Sequence, residues 1–216
     1  YVAYLQGRNN HSCGGFLVAP NWVMTAAHCY KYSPLTVYLG SHMAQKKQQS
    51  WQTFEVKDYH CHPHFKDRKY ENDILLLKLK GNATNNRYFS FVRNSPGAKC
   101  CIAGWEQKGA QPRYHEETVT IMKSRECLND APAVPENVIC GHTGSAWKPE
   151  EVICSRLMFL FLFFLSLLSF LSQSNAGEPL ICNKKACGIF SHRQNHWPGF
   201  YTEIAPYLPW IDNIMR

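Results

Sequence analysis

A histidine and an aspartate are the residues of this chain whose surroundings point most clearly to chemistry. His28 lies in the segment Thr25–Cys29 (Thr-Ala-Ala-His-Cys), and Asp73 lies in Asn72–Leu77 (Asn-Asp-Ile-Leu-Leu-Leu). A carboxylate can orient an imidazole so that the ring takes the proton of a hydroxyl, and the hydroxyl then attacks an acyl carbon. His28 and Asp73 are therefore candidate residues for such a reaction.

The elements that must position these residues are predicted to be strands. Short apolar or alternating runs bounded by turn residues recur along the 216 residues, for example at 16–18, 35–39, 74–79 and 199–202. This spacing predicts an all-β sandwich or barrel. The chain ends differently, because Leu208, Ile211 and Ile214 recur at helical spacing. We therefore expect an all-β chain that closes with a helix.

Three segments together resemble the trypsin/chymotrypsin-like serine peptidases. Two of them are the segments around His28 and Asp73. The third is residues 100–105, which read Cys-Cys-Ile-Ala-Gly-Trp. The resemblance implies one domain over 1–216, built from two six-stranded antiparallel β-barrels with the active site between them. The first barrel should cover about 1–86, the second about 98–206, and a C-terminal α-helix 207–216.

The ends of the chain narrow the resemblance to one branch of that family. Tyr1–Leu5, residues 13–18 and the closing segment 208–211 are similar to the granzyme and mast-cell chymase branch. That branch implies secretion or storage in a secretory granule with proteoglycan. The opening run Tyr1–Leu5 has the pattern of a strand and not of a signal peptide.

The third family motif departs from its pattern at the nucleophile. The family reads Gly-Asp-Ser-Gly-Gly-Pro, whereas residues 174–179 read Ser-Asn-Ala-Gly-Glu-Pro. The resemblance implies that His28 is the base and that Asp73 orients it. Ala176 stands where the resemblance implies the catalytic serine, and Ser174 and Asn175 stand in the oxyanion region. Asn175 has no charge to pair with an amino terminus, and Glu178 replaces a glycine where only a small residue is expected. These departures predict a site with His28 and Asp73 but no nucleophile.

The predicted substrate pocket is altered as well. The family's Ser-Trp-Gly strand edge is matched by Ser191, His192 and Arg193, so an arginine replaces a glycine that lines the pocket. We expect Arg193 to obstruct the pocket, the alternative being that His192 and Arg193 point to solvent. The resemblance also implies that Val152, Ile153 and Gly199 lie in the pocket, because their sequence positions match pocket positions of the family.

Ten cysteines indicate disulfides in an oxidising compartment, since their spacing is not that of zinc sites. The resemblance implies three bridges: Cys13–Cys29, Cys100–Cys182 and Cys127–Cys140. The cysteines left without an assigned partner are Cys61, Cys101, Cys154 and Cys187. Two sequons, at Asn10 and Asn82, agree with secretion and mark candidate glycosylation sites.

An apolar run interrupts the second predicted barrel. Leu157–Ser172 consists almost entirely of Leu, Phe and Ser, and Gln173 follows it. It falls short of the roughly 20 apolar residues of a membrane span, so a span is not favoured over a buried or interfacial insertion. Because pyrimidine-rich codons encode these residue types, we interpret 155–173 as a translated intron end.

Charge and metal-binding residue types allow further hypotheses. A formal charge of +7 favours a polyanion such as a proteoglycan as partner, without sequence-specific nucleic-acid recognition. The basic residues interleaved with aromatics are Lys46, Lys47, Lys66, Arg68, Lys69, Lys78 and Lys80.

The cluster His60–His64 contains imidazoles and a thiol that suit zinc or copper, but an ordinary loop is the preferred interpretation. We predict no metal and no cofactor.

The sequence therefore predicts a secreted, monomeric serine-peptidase homologue without catalysis that acts by binding an unidentified protein or polyanion. Two alternatives stay open. The chain is an active serine endopeptidase if the region around Ala176 is misread in the gene model, or it is the non-functional product of a decaying gene.

Overall fold

The first barrel is formed by six antiparallel strands. The computed structural model describes residues 2–40, 51–84, 88–93, 95–108, 111–123, 127, 134–143, 175–193 and 198–216, with backbone alone at 106–108 and 111–112. The strands of the first barrel are β1 (Val2–Gln6), β2 (Ser12–Ala19), β3 (Trp22–Thr25), β4 (Thr36–Leu39), β5 (Gln52–Cys61) and β6 (Leu75–Leu79). They close in the order β1-β2-β3-β6-β5-β4.

The second barrel repeats this architecture with six more antiparallel strands. They are β7 (Lys99–Lys108), β8 (Gln111–Ile121), β9 (Val138–Thr143), β10 (Pro179–Cys182), β11 (Lys185–Arg193) and β12 (Gly199–Glu203). The barrel closes in the order β10-β11-β12-β9-β8-β7. The predicted fold class, two six-stranded barrels, is confirmed.

Hydrophobic alternation explains why these segments form barrel strands. Strand β4 alternates between buried and half-buried residues, as expected when one face of a strand lines a core. Strand β6 is more continuously apolar, and Leu75, Leu76 and Leu77 are all fully buried. Their side chains lie on both faces of the strand, so β6 packs against the barrel core on one side and against other elements on the other.

The chain ends in the predicted helix, which spans Leu208–Met215. Ile211 is buried in the core of the first barrel, while the helix follows a 3-10 turn at Ala205–Tyr207. The Tyr207 hydroxyl donates a hydrogen bond of 2.9 Å to Asn72 Oδ1, beside the predicted catalytic aspartate. The 3-10 turn that precedes the helix thereby supports the loop that leads into β6.

No helix within the described ranges is long and apolar enough to cross a membrane. The apolar run 157–172, the interpreted intron segment 155–173 and Cys154 lie outside those ranges.

Two glycines make room for the side chain of Glu178 between the barrels. Gly14 lies on β2 of the first barrel and Gly104 on β7 of the second, and a Cβ at either position would collide with Glu178. Glu178 itself is fully buried. The expectation that only a small residue fits at position 178 is therefore wrong, because the missing side chains of the two glycines leave the volume that the glutamate fills.

This packing predicts the result of a double-mutant cycle. Gly104→Ala should lower the free energy of unfolding by about 1–3 kcal/mol, the usual cost of overpacking a core. In a Glu178→Gly background the same substitution should cost much less, because the colliding side chain is gone. Urea denaturation of the four proteins measures the difference, and equal costs in both backgrounds would contradict the packing.

Candidate functional site

His28 is buried and is held in place by a hydrogen bond from its own backbone and by a disulfide. It lies in a 3-10 helix, Ala27–Tyr32, that follows β3, and the Cys13–Cys29 bridge joins this helix to β2. The His28 backbone N–H donates to Asp73 Oδ1 at 2.9 Å, and its ring Nδ1 lies 2.8 Å from Asp73 Oδ2. The structure thus brings together the predicted base and its orienting carboxylate.

Asp73 is fully buried just before β6, and residues of the second barrel complete its hydrogen bonding. The Ser191 hydroxyl donates to Asp73 Oδ2 at 2.6 Å, and the Thr202 hydroxyl donates to the Asp73 main-chain oxygen at 3.0 Å. Burial alone would raise the pKa of Asp73, but the hydrogen bonds and charge of His28 and the hydroxyl of Ser191 outweigh it, so the pKa is lowered. The carboxylate is held ionised.

Ala176 lies in a tight turn whose backbone is fixed from both barrels. Its carbonyl oxygen accepts the N–H of Gly14 at 2.7 Å, and the N–H of Gly177 donates to Phe190 O at 2.7 Å. Gly177 has φ of +94°, and a Cβ there would collide with Gly14 O and Thr25 Oγ1. A glycine is therefore required at 177, whereas the side chain at 176 is a methyl group without a donor or acceptor.

The neighbouring Asn175, which is half-buried, forms an uncharged hydrogen bond. Its side-chain amide donates to the main-chain oxygen of Trp105, and the Trp105 indole N–H in turn donates to Val2 O at 3.2 Å. The amide is thus bound to a backbone carbonyl that itself belongs to β7. Ser174, the other residue of the predicted oxyanion region, lies outside the described residues.

A second buried pair, which sequence reasoning missed, lies behind this turn. His115 Nε2 on β8 is 2.9 Å from Glu178 Oε1, whereas Glu178 Oε2 is buried without a hydrogen-bond partner in the described parts of the chain. Burial raises the pKa of Glu178, and the hydrogen bond and charge of His115 oppose that shift. No sequence motif surrounds His115, so only its contact with Glu178 in the structure identifies it as a member of this pair.

Aromatic rings fill the cleft beside His28. His192 stacks on Tyr70 with ring centroids 4.2 Å apart and on Phe200 at 5.0 Å, and Tyr70 meets His28 edge-on at 5.3 Å. Burial lowers the pKa of His192, and the partial opposition of Asp73 does not reverse the shift. His192 therefore points into the cleft as a stacked ring and not to solvent, which was one alternative for this residue.

Arg193 reaches across two neighbouring strands. It pairs in register with Gly199, which in turn pairs with Gly141, so the three residues lie side by side on β11, β12 and β9. Arg193 Nη2 donates to Thr143 Oγ1 at 2.9 Å, although the residue is exposed. The space beside Gly141 and Gly199 is filled by the side chains of Tyr201, Val119 and Phe190. The exposed arginine is therefore held by Thr143 and does not fill that space. Val152 and Ile153 lie outside the described residues.

The remaining predicted sites are distributed away from this cleft. Asn10 and Asn82, the candidate glycosylation sites, are both exposed. His62 packs edge-on against Tyr207 and Trp210, as a loop histidine would. The structure joins Cys13–Cys29, Cys100–Cys182 and Cys127–Cys140, and the buried Cys187 lies beside the second of these bridges. Cys61 and Cys101 are free among the described cysteines.

Comparison with known proteins identifies the family to which this site belongs. The family model described as Trypsin matches residues 1–148, and these residues include both His28 and Asp73. The chain belongs to the trypsin family. The sequence-based identification as a trypsin-family chain is thereby confirmed.

Relatives within the trypsin family support the predicted branch. Granzyme-like protein 1 of Rattus norvegicus is 30% identical over 100% of this chain and 86% of its own length. Chymase of Canis lupus familiaris is 31% identical over 100% of this chain and 85% of its own. A solved structure, "Structure of GrC", superposes with a TM-score of 0.77 at 29% identity and covers 100% of this chain and 93% of that one.

The lowered pKa of Asp73 predicts how stability depends on pH. The ionised carboxylate stabilises the fold fully above the unfolded-state pKa of about 3.9, and this contribution is lost as pH falls through the lower folded-state pKa. The difference in unfolding free energy between the wild type and Asp73→Asn should therefore shrink as the solution is acidified. Urea titrations over acidic pH measure it.

The matched control is Asp67→Asn, since Asp67 is exposed. Its difference from the wild type should stay small at every pH. A difference for Asp73→Asn that is constant over the acidic range would contradict the assigned ionisation.

Proposed function

We propose that this chain is a secreted serine-peptidase homologue of the trypsin family that has lost catalysis and acts by binding. One observation carries the proposal. His28 and Asp73 are held in hydrogen-bond contact, while the third position of the family's triad, Ala176, has only a methyl group. A base and its carboxylate without an oxygen nucleophile cannot form an acyl-enzyme.

The expected loss of catalytic turnover is large. Removing the nucleophile of such a triad lowers turnover on the order of 10⁶-fold, and what remains comes from substrate binding and the oxyanion hole. The activity that remains also depends on a formed oxyanion region and an open pocket. Here the Asn175 amide is bound to Trp105 O, and the space beside Gly199 is filled by Tyr201 and Phe190. Both features support a cleft that no longer binds substrate productively.

Location in a secretory compartment is part of the proposal. The described disulfides agree with an oxidising environment, and relatives include Chymase, Cathepsin G of Homo sapiens and Mast cell protease 3 of Ovis aries. We infer that this chain follows the same secretory route and stays monomeric.

A fluorophosphonate probe tests the catalytic part of the proposal. The purified chain should not be labelled, because no serine hydroxyl lies at position 176, and Ala176→Ser should not reach the labelling rate of an active trypsin-family enzyme. Labelling of the natural protein would overturn the proposal and support the alternative of an active endopeptidase with a misread nucleophile region. Any labelling of Ala176→Ser should be abolished by adding His28→Ala, which controls for non-specific reaction.

The binding part of the proposal concerns a polyanion, which the charge of +7 favours. The loop around the 3-10 helix Asp67–Lys69 has its charge partly neutralised, since Lys66 and Lys69 both form ion pairs with Glu71. Lys80 forms a comparable pair with Glu55 at 2.6 Å elsewhere on the barrel. The two acidic residues are thus matched positions for testing where a polyanion binds.

Heparin affinity chromatography distinguishes a local site from a general charge effect. Glu71→Gln should raise the salt concentration needed for elution more than Glu55→Gln does, because it frees two lysines beside Arg68. Both variants raise the net charge equally, so equal shifts would mean that the loop 66–71 is not the binding surface. Absence of retention for the wild type at moderate ionic strength would contradict polyanion binding altogether.

A further inference from the structure

A buried acid and a histidine meet across a glycine in the second barrel. Gly104 on β7 pairs in register with His115 on β8, and a Cβ at Gly104 would collide with the Cδ and Oε1 atoms of Glu178. The glutamate side chain therefore lies over the glycine and reaches the next strand, where its Oε1 is 2.9 Å from His115 Nε2. The side chain of Glu178 is fully buried, and that of His115 is 10% exposed.

The main chain of Glu178 belongs to the turn that carries Ala176. The Glu178 N–H donates to Asn175 O at 3.2 Å, and the Glu178 carbonyl oxygen accepts the N–H of Phe190 at 2.8 Å. Gly14 of the first barrel donates its N–H to Ala176 O, and a Cβ at Gly14 would collide with Glu178 Cγ. Any movement of the glutamate side chain is therefore transmitted to the turn and to β2.

The surroundings of this carboxyl group favour its protonated form. Glu178 Oε2 is buried without a hydrogen-bond partner among the described residues. Burial raises the pKa of Glu178 and the charge of Glu117 adds to that shift, whereas the hydrogen bond and charge of His115 oppose it. An ionised carboxylate would hold an unpaired charged oxygen away from water, which is costly.

The remaining groups around the carboxyl do not compete for its proton. Tyr201 on β12 is the other titratable residue that interacts with Glu178, and burial raises the pKa of Tyr201, so its hydroxyl stays protonated while Glu178 titrates. The contacts from the first barrel, β7, β11 and the turn come from residues that do not titrate, namely Gly14, Gly104, Phe190 and Asn175. Glu178, His115 and Glu117 therefore determine the proton equilibrium at this position.

We propose that Glu178 and His115 form a buried proton-binding site that couples the packing between the two barrels to pH. In the protonated form, Glu178 Oε1–H donates to His115 Nε2, the pair is neutral, and the side chain stays over Gly104. When the proton passes to water, the carboxylate is charged in its buried position. Its side chain then moves towards solvent and withdraws from Gly14, so the turn 175–178 packs less tightly on β2.

Nuclear magnetic resonance of the side-chain carboxyl carbons tests the proton-binding site directly in the full chain. We expect one glutamate carboxyl of the wild type to titrate above the ordinary glutamate pKa of about 4.3, and this signal to be absent from Glu178→Gln. If every glutamate carboxyl of the wild type titrates in the ordinary range, the proposed site does not exist.

Urea denaturation measures the effect of this proton on stability. Because the folded-state pKa of Glu178 is raised, its contribution to stability is fully present below the unfolded-state pKa of about 4.3 and is lost as pH rises through the folded-state pKa. Relative to Glu178→Gln, which mimics the neutral acid, the unfolding constant of the wild type should rise about tenfold for each unit of that pKa shift. The matched control is Glu116→Gln, an exposed residue next to His115 on the opposite face of β8, which should keep the wild-type pH profile. A wild-type profile parallel to that of Glu178→Gln would refute the coupling to stability.

Amide hydrogen exchange distinguishes a switch between the barrels from a merely buried acid. The Gly14 N–H donates to Ala176 O at 2.7 Å, and the Leu79 N–H donates to Asn21 O at 2.8 Å within the first barrel. After correction for the intrinsic exchange rate, the protection of Gly14 in the wild type should fall as Glu178 loses its proton, while that of Leu79 stays higher. In Glu178→Gln the protection of Gly14 should not follow pH in this way. Constant protection of Gly14 in the wild type while Glu178 titrates would overturn the proposed coupling.

Discussion

The buried carboxylate of Asp73 is the constraint on which the arrangement of the two barrels depends. It accepts hydrogen bonds from His28 on the first barrel and from Ser191 on the second, while Thr202 binds its main-chain oxygen. A buried charge that loses its partners destabilises a protein by about 3–5 kcal/mol. Any shift of one barrel against the other would separate these groups, so the contacts that orient His28 also fix the interface.

This double role explains how His28 and Asp73 can be maintained in the inactive homologue proposed above. The methyl group of Ala176 makes no hydrogen bond to either residue, and the turn that carries it is fixed by backbone contacts to Gly14 and Phe190. An alanine at this position therefore leaves the hydrogen bonds of Asp73 unchanged. Selection for a stable fold alone would preserve His28 and Asp73, and their presence is not by itself a sign of catalysis.

Sequence patterns predicted the local features and missed the contacts between distant segments. Period-two alternation predicted an all-β chain, and the family resemblance carried by the motifs around His28 and Asp73 implied the two barrels and the pairing of these two residues. Neither could reveal that His115 binds Glu178, that Tyr70 stacks on His192, or that Cys187 lies beside Cys182. Those contacts depend on strand register and on a bulge, and neither leaves a periodic signal in the sequence.

The way in which unusual residues are accommodated distinguishes a retained fold from a decaying one. Glu178 would be intolerable between the barrels if Gly14 and Gly104 carried side chains, and its Oε1 is bound by His115. The Asn175 amide likewise has an acceptor in Trp105 O. Random loss of function would leave such buried groups unpaired at about 1–3 kcal/mol each. Glu178 Oε2 is buried without a hydrogen-bond partner in the described residues, whereas Glu178 Oε1 and the Asn175 amide are paired, in line with the retained fold that the proposed binding role requires.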